Sequence, residues 1–210
     1  MTTKERYDGV IAWFSEHMPV AESELHYTDP YQLLVAVILS AQCTDKRVNM
    51  TTPALFERFP TPFEMAKATA EEIYPYIRSI SYPNNKARNL AGMARMLCEE
   101  FGGEVPSDLQ QMQRLPGVGR KTANLILGDL FGKPAIVADT HCIRISGRLG
   151  LTKSKDPYQV EMDLKKLIAP ADQNDTCHRF VHFGRDICTA RSPKCTACFL
   201  LDICPQGQGK

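Results

Sequence analysis

Apolar residues along this chain recur at helical spacing, and no segment alternates apolar and polar positions long enough to demand a sheet. Asp29-Pro30 opens a helix through YQLLVAVILSAQ, with aspartate as N-cap and proline in the first turn. From Asn85 to Phe101 the residues Leu90, Met93, Ala94, Leu97 and Phe101 mark one face, and Gly102-Gly103 ends the run. Asp156-Pro157 opens another helix, with Val160, Leu164, Leu167 and Ile168 on one side. Short extended pieces such as AIVA at 135–138 read as connections. The pattern predicts an all-α protein.

One stretch breaks the pattern. In LPGVGRKTANLILGDLFG (115–132) a proline, two glycines and two adjacent cations run into a helix that is apolar on nearly every side, so other helices should surround it. The stretch fails the P-loop, which needs glycine where Arg120 and Leu115 stand, and fails the dinucleotide fingerprint, which needs glycine at Thr122. The preceding SDLQQMQRL is itself helical in pattern, with Ser107 expected as its cap. Helix, Pro-Gly-Val-Gly turn, helix is a helix-hairpin-helix unit. Its glycines, Gly117 and Gly119, leave backbone N–H groups at a helix N-terminus, where a phosphate binds without sequence readout. A plain tight turn between two packed helices fits the same spacing.

Lys121 sits at the mouth of that second helix. The positive end of the helix dipole and the neighbouring Arg120 both favour the neutral, nucleophilic amine. Phosphate contact would use the same side chain as an ammonium, and the stretch alone does not separate the two. Downstream, Asp139 stands between AIVA and a helix beginning near Thr140, where an N-cap is the ordinary role of aspartate. Chain geometry adds a second role. A helix over 121–132 travels roughly 18 Å, and an extended 133–138 can return roughly 20 Å, so Asp139 can come back beside Lys121. A carboxylate there would accept or relay the amine's proton and stabilise developing positive charge.

Composition narrows the compartment and the cofactor. An apolar fraction of 43% and a charged fraction of 23% are ordinary for a globular chain. The net charge of +1 carries no global nucleic-acid signature. Any such footprint must be local, and residues 134–210 hold the positive excess. The N-terminus has no apolar leader, and the longest apolar run, Leu33–Leu39, is too short to span a bilayer. The reading is a cytoplasmic protein without a membrane segment. Its eight cysteines then point to ligation rather than disulfides. Cys188, Cys195, Cys198 and Cys204 fall as C-x6-C-x2-C-x5-C, a four-thiolate set that suits a [4Fe–4S] cluster better than zinc with its paired short knuckles. Ligation would pin the loop bearing Arg191 and Lys194 and present both cations to phosphate. An ordinary solvated loop is the alternative. Cys43, Cys98, Cys142 and Cys177 lack ligand spacing and read as packed apolar residues.

The stretches LLVAVILSAQCTDKRVN (33–49), LPGVGRKTAN (115–124), VADTHCIR (137–144) and the cysteine array at 188–204 together resemble the helix-hairpin-helix superfamily of DNA glycosylases and, within it, the endonuclease III family. The resemblance covers nearly the whole chain. It implies two helical lobes with DNA at the groove between them. One is a six-helix barrel domain over 23–133 with the hairpin at about 107–132, and the other joins 1–22 to 134–210 and holds the [4Fe–4S] cluster loop at 188–204. It implies a monomer that removes oxidised pyrimidines from duplex DNA and cleaves the strand at the abasic site through a lysine Schiff base, located with the nucleoid. By motif, Lys121 is the nucleophile and Asp139 its partner carboxylate. Gln42 fills the gap left by the extruded nucleotide, and His141 lies near the lesion. With these go the phosphate contacts expected from the residues themselves, at Gly117, Gly119 and Arg120 of the hairpin and at Arg191 and Lys194 of the cysteine loop. The chain departs from the family at Ser81-Tyr82-Pro83-Asn84-Asn85, where a Gly-apolar-Tyr turn is usual. There Tyr82 takes the place of an apolar wedge, and an aromatic ring still stacks on bases.

Three rivals share parts of this pattern. An adenine-specific mismatch glycosylase has the hairpin, aspartate and cluster but typically lacks the lysine. An inert DNA-binding module needs only the hairpin with Arg191 and Lys194. An electron-transfer protein would use the cysteines and leave the hairpin and Asp139 unexplained.

Overall fold

A computed structural model describes residues 1–209. Among these, α-helices follow one another as α1 (Thr3–His17), α2 (Pro30–Ser40), α3 (Asp45–Arg58), α4 (Pro62–Lys67), α5 (Ala70–Ile77), α6 (Pro83–Phe101), α7 (Leu109–Arg114), α8 (Arg120–Phe131), α9 (Thr140–Arg148), α10 (Pro157–Leu167) and α11 (Gln173–Asp186). Three short 3-10 turns complete the list, and no β-strand occurs among the described residues. The all-α expectation holds. The chain divides into two compact units, one spanning 24–131 and the other joining 1–23 to 132–210.

The 24–131 unit is organised around α2. Its side chains from Leu33 to Leu39 are all buried, so this helix is apolar because others enclose it. Asp29 caps it by accepting from the Gln32 amide at 2.9 Å, and Pro30 fills the first position. Along α6, Leu90, Met93, Ala94 and Leu97 form the buried stripe. The helix ends where Gly102 turns left-handed and the Gly103 amide donates to the Leu97 carbonyl at 2.8 Å. The first hairpin helix, α7, is capped by Asp108, which accepts from Gln110 and Gln111 at 2.9 and 3.0 Å. That corrects the expected Ser107 cap. The helix starts one residue later, and a carboxylate takes both first-turn amides.

The other unit pairs the chain's two ends. Phe14 of α1 meets Phe180 and Phe183 of α11 edge to face. Trp13 stacks on Phe199 at 4.2 Å between ring centroids. Arg179, almost wholly buried, donates to the carbonyls of Met18 and Pro19 at 3.0 and 3.4 Å, tying the exit of α1 to α11. Between α9 and α11 the approach is close enough to require glycine. A Cβ at Gly184 would fall within 2.8 Å of His141, Arg144 and Ile145 side-chain atoms.

Candidate active site

In the 24–131 unit the Pro116–Gly119 turn delivers the chain from α7 to α8. Gly117 has φ +83, and a Cβ there would meet Asn89 of α6 at 3.0 Å. The fold itself therefore demands this glycine. Gly119 differs: its φ is ordinary, and an added Cβ would meet nothing within 4 Å. Its carbonyl accepts from the Ala123 amide at 2.9 Å, which makes it the residue preceding the first turn of α8. A glycine at that place brings no side-chain acceptor to the first-turn amides, and no acidic residue occupies the turn. The positive end of this helix suits the approach of an anion. Lys121 is exposed on this same turn, beside half-buried Arg120.

Two further loops of the unit are unusual. Among the described residues, only Gln42 and Tyr82 take positive φ without being glycine, at 55° and 56°. Each such conformation costs about 1–3 kcal/mol and persists where its surroundings impose it. Gln42 follows the end of α2, and Tyr82 precedes α6. Both side chains are exposed, Tyr82 by 64%. Lys86, which sequence reasoning missed, joins the two loops. Its ammonium is buried and donates to the carbonyls of Leu39 and Ala41 at 2.8 and 2.6 Å. A signal existed: Lys86 lies four positions before Leu90, on the apolar stripe of α6. Burial holds its pKa below the usual lysine value.

In the second unit Asp139 is half-buried and caps α9, its Oδ1 accepting from the Cys142 amide at 2.7 Å. The extended approach to it is buried at Ala135, Ile136 and Val137, and Val137 donates its amide to Cys177 Sγ at 3.2 Å. Successive turns of α9 then carry two guanidiniums tied to backbone carbonyls. Arg144 reaches His141 Nδ1 at 3.1 Å and the carbonyls of Gly184 and Cys188, both at 3.1 Å. Arg148 donates to Cys188 Sγ at 3.3 Å and to the carbonyls of Thr189 and Ala190 at 2.8 and 2.9 Å.

Cys188, Cys195, Cys198 and Cys204 line a single cavity together with Arg148 and Leu200. Burial raises the Cys198 thiol, and the three other thiols push it the same way. Among the described residues no metal-binding group of three or more His, Cys, Asp or Glu side chains is already assembled. The fit rests instead on the donor chemistry. Four soft sulfur donors face one cavity, and a guanidinium hydrogen bond meets one of the sulfurs and would offset the charge of a ligating thiolate. These residues suit an iron–sulfur cluster. Arg191 and Lys194 are exposed on the loop between the first two cysteines. Cys142 and Cys177 prove to be buried neighbours of each other, in keeping with a packing role. No helix among the described residues is long and apolar enough to cross a membrane.

The sequence pattern described as "HhH-GPD superfamily base excision DNA repair protein" matches residues 35–170, and "Iron-sulfur binding domain of endonuclease III" matches 188–204. The chain belongs to the HhH-GPD superfamily of base excision DNA repair proteins. Endonuclease III of Synechocystis sp. is 45% identical over 206 residues, covering 98% of this chain and 94% of that protein. Endonuclease III of Bacillus subtilis is 45% identical over 191 residues, covering 90% and 87%. A trapped covalent endonuclease III–DNA intermediate superposes with a TM-score of 0.94 at 42% identity, covering 100% and 99% of the two chains. Within the superfamily the chain is therefore a member of the endonuclease III family, DNA glycosylases with AP lyase activity and a [4Fe–4S] cluster.

Proposed function

We infer that this chain removes oxidised pyrimidines from duplex DNA and cleaves the strand at the resulting abasic site, with Lys121 as nucleophile. The observation that carries the reading is the hairpin end: an exposed lysine on the first turn of α8, behind a glycine the fold does not require. Backbone N–H groups beyond Gly117 and Gly119, with Arg120, hold the phosphate strand. A lesion that stacks poorly is cheaper to extrude. Exposed Gln42 fills the gap that extrusion leaves, and Tyr82 stacks on bases of the opposite strand.

The neutral Lys121 amine forms a bond to the deoxyribose C1′ as the glycosidic bond to the base breaks. Asp139 stabilises the oxocarbenium-like charge and takes the proton that the amine gives up. Ring opening leaves a Schiff base. Loss of a C2′ proton then forms a C2′–C3′ double bond as the C3′–O bond breaks, and the 3′ phosphate leaves with that bond's electron pair. Water hydrolyses the imine and returns the free amine. His141, bonded to Arg144, stands in the same unit as Asp139 and lies near the lesion. Cys188, Cys195, Cys198 and Cys204 would hold the [4Fe–4S] cluster, which fixes the 188–204 segment so that Arg191 and Lys194 meet phosphates. The working form is a monomer on damaged or abasic duplex DNA, located with the nucleoid.

Borohydride reduction of the enzyme on a duplex containing an oxidised pyrimidine tests this directly. The wild-type chain forms a covalent adduct, and Lys121→Gln forms none. An adduct retained by Lys121→Gln moves the nucleophile elsewhere, and binding without any base release reduces the chain to an inert DNA-binding module.

A further inference from the structure

Lys86 is a charged side chain where the α6 stripe needs only an apolar one. An aliphatic residue would pack against α2 without the cost of burying an ammonium. What an aliphatic residue lacks is reach into two backbones at once. From the first turn of α6, Lys86 Nζ bonds the carbonyls of Leu39 and Ala41, which straddle the last residue of α2. The next residue is left-handed Gln42. Through its own amide, Lys86 donates to the Tyr82 carbonyl at 3.2 Å, closing the turn that begins at left-handed Tyr82. Tyr82 makes no side-chain cap bond to α6, and this backbone bond joins it to the residue that reaches α2. A cation also suits the end of α2, where carbonyls point out of the helix without in-helix donors.

We propose that Lys86 is a positioning residue that holds the Gln42 and Tyr82 loops in one fixed register, so that the two side chains enter the DNA as a unit. The proposal rests on the gap-filling roles given to those residues above. It makes a prediction that a merely structural lysine does not. Gap filling matters only where a nucleotide leaves a duplex stack. Lyase cleavage of an abasic site in single-stranded DNA uses Lys121 chemistry without it.

The experiment measures cleavage of a double-stranded oxidised-pyrimidine substrate and of a single-stranded abasic substrate with one enzyme preparation. Active enzyme is counted by borohydride trapping on the single strand. Lys86→Met removes the donors at similar length, and Lys86→Gln keeps a shorter neutral donor. In Lys86→Met the duplex rate falls about 10- to 100-fold, the scale set by small misplacement of reacting groups, while the single-strand rate per active site stays within about twofold. Lys86→Gln falls between Lys86→Met and wild type. The fluorescence of a 2-aminopurine placed opposite an abasic site, raised by wild-type binding, rises less in both variants. If the two rates fall in parallel in whichever variant folds, Lys86 only supports the fold and the proposal is overturned. Gln42→Ala and Tyr82→Ala, measured alongside, separate the two levels. Should neither lower the duplex-to-single-strand ratio, the gap-filling reading itself fails. If they lower it and the Lys86 variants do not, the fault lies with Lys86 alone.

Discussion

The 24–131 unit closes on itself with side chains withdrawn from water, Leu33, Phe59, Met65 and Leu90 among them, whereas between Cys188 and Gly209 of the other unit only Leu200 is buried. The first unit can spend its packing on holding two left-handed backbones and one buried ammonium in place. The second holds its last segment by guanidinium-to-carbonyl bonds from Arg144 and Arg148 and by four thiols around a cavity. One set of functional residues is thus positioned by an apolar core and the other by polar ties that ligation completes. Burial of apolar surface needs no ligand, while thiol sites become folding energy only when filled.

The contrast can be broken most sharply at Asp139. Asn is as good an N-cap as Asp, so Asp139→Asn keeps α9, with a melting shift worth less than about 1 kcal/mol. Base release falls roughly 10²- to 10⁴-fold, the range for a lost acid–base group. Single-turnover kinetics beside a thermal melt read both. A rate within threefold of wild type would leave Asp139 as a cap only.

Next in size is the cysteine segment. Cys198→Ser removes one thiolate and should cost the 1–23 and 132–210 unit roughly 3 kcal/mol or more, as where metal binding supplies folding energy. The 24–131 core should keep its protection in hydrogen exchange. Trypsin should then cut at Arg191 and Lys194, which are exposed already but held in a pinned loop. Equal loss of protection in both units would end the comparison.

A smaller pair of effects lies in the hairpin. Gly117→Ala forces a Cβ toward Asn89 at φ +83 and should destabilise by about 1–3 kcal/mol. Gly119→Ala places its Cβ in open space and should leave stability within about 0.5 kcal/mol. It should nevertheless weaken binding to an abasic duplex about tenfold, read by anisotropy. Equal affinity in Gly119→Ala and wild type would remove the phosphate from that turn. The smallest effect is electrostatic. Arg191→Ala and Lys194→Ala should each lower the slope of log affinity against log salt by about 1, uniformly across sequences.

Local chemistry made much of this legible. Asp29, Asp156 and Gly102 act where the sequence puts them, because caps depend on residues two or three positions away. The Cys-x2-Cys array and the Pro-Gly-Val-Gly turn were equally visible. Ser107 lost its cap to Asp108 because two adjacent candidates differ only in where the incoming chain turns. Lys86, Arg144 and Arg148 were not seen, since their acceptors are carbonyls 40 or more residues away in the chain. The left-handed states of Gln42 and Tyr82 were hidden for a related reason. Neither residue type favours positive φ, and only the packed ends of α2 and α6 impose it.

The stack of Trp13 on Phe199 has a practical consequence. The chain contains one tryptophan, and its ring lies 4.2 Å from an aromatic that directly follows Cys198. Tryptophan emission, excited beyond the tyrosine absorption band, is therefore a single-site optical gauge of the cysteine segment. Loading, stripping or oxidation of the iron centre can be followed from this one indole without attaching any label.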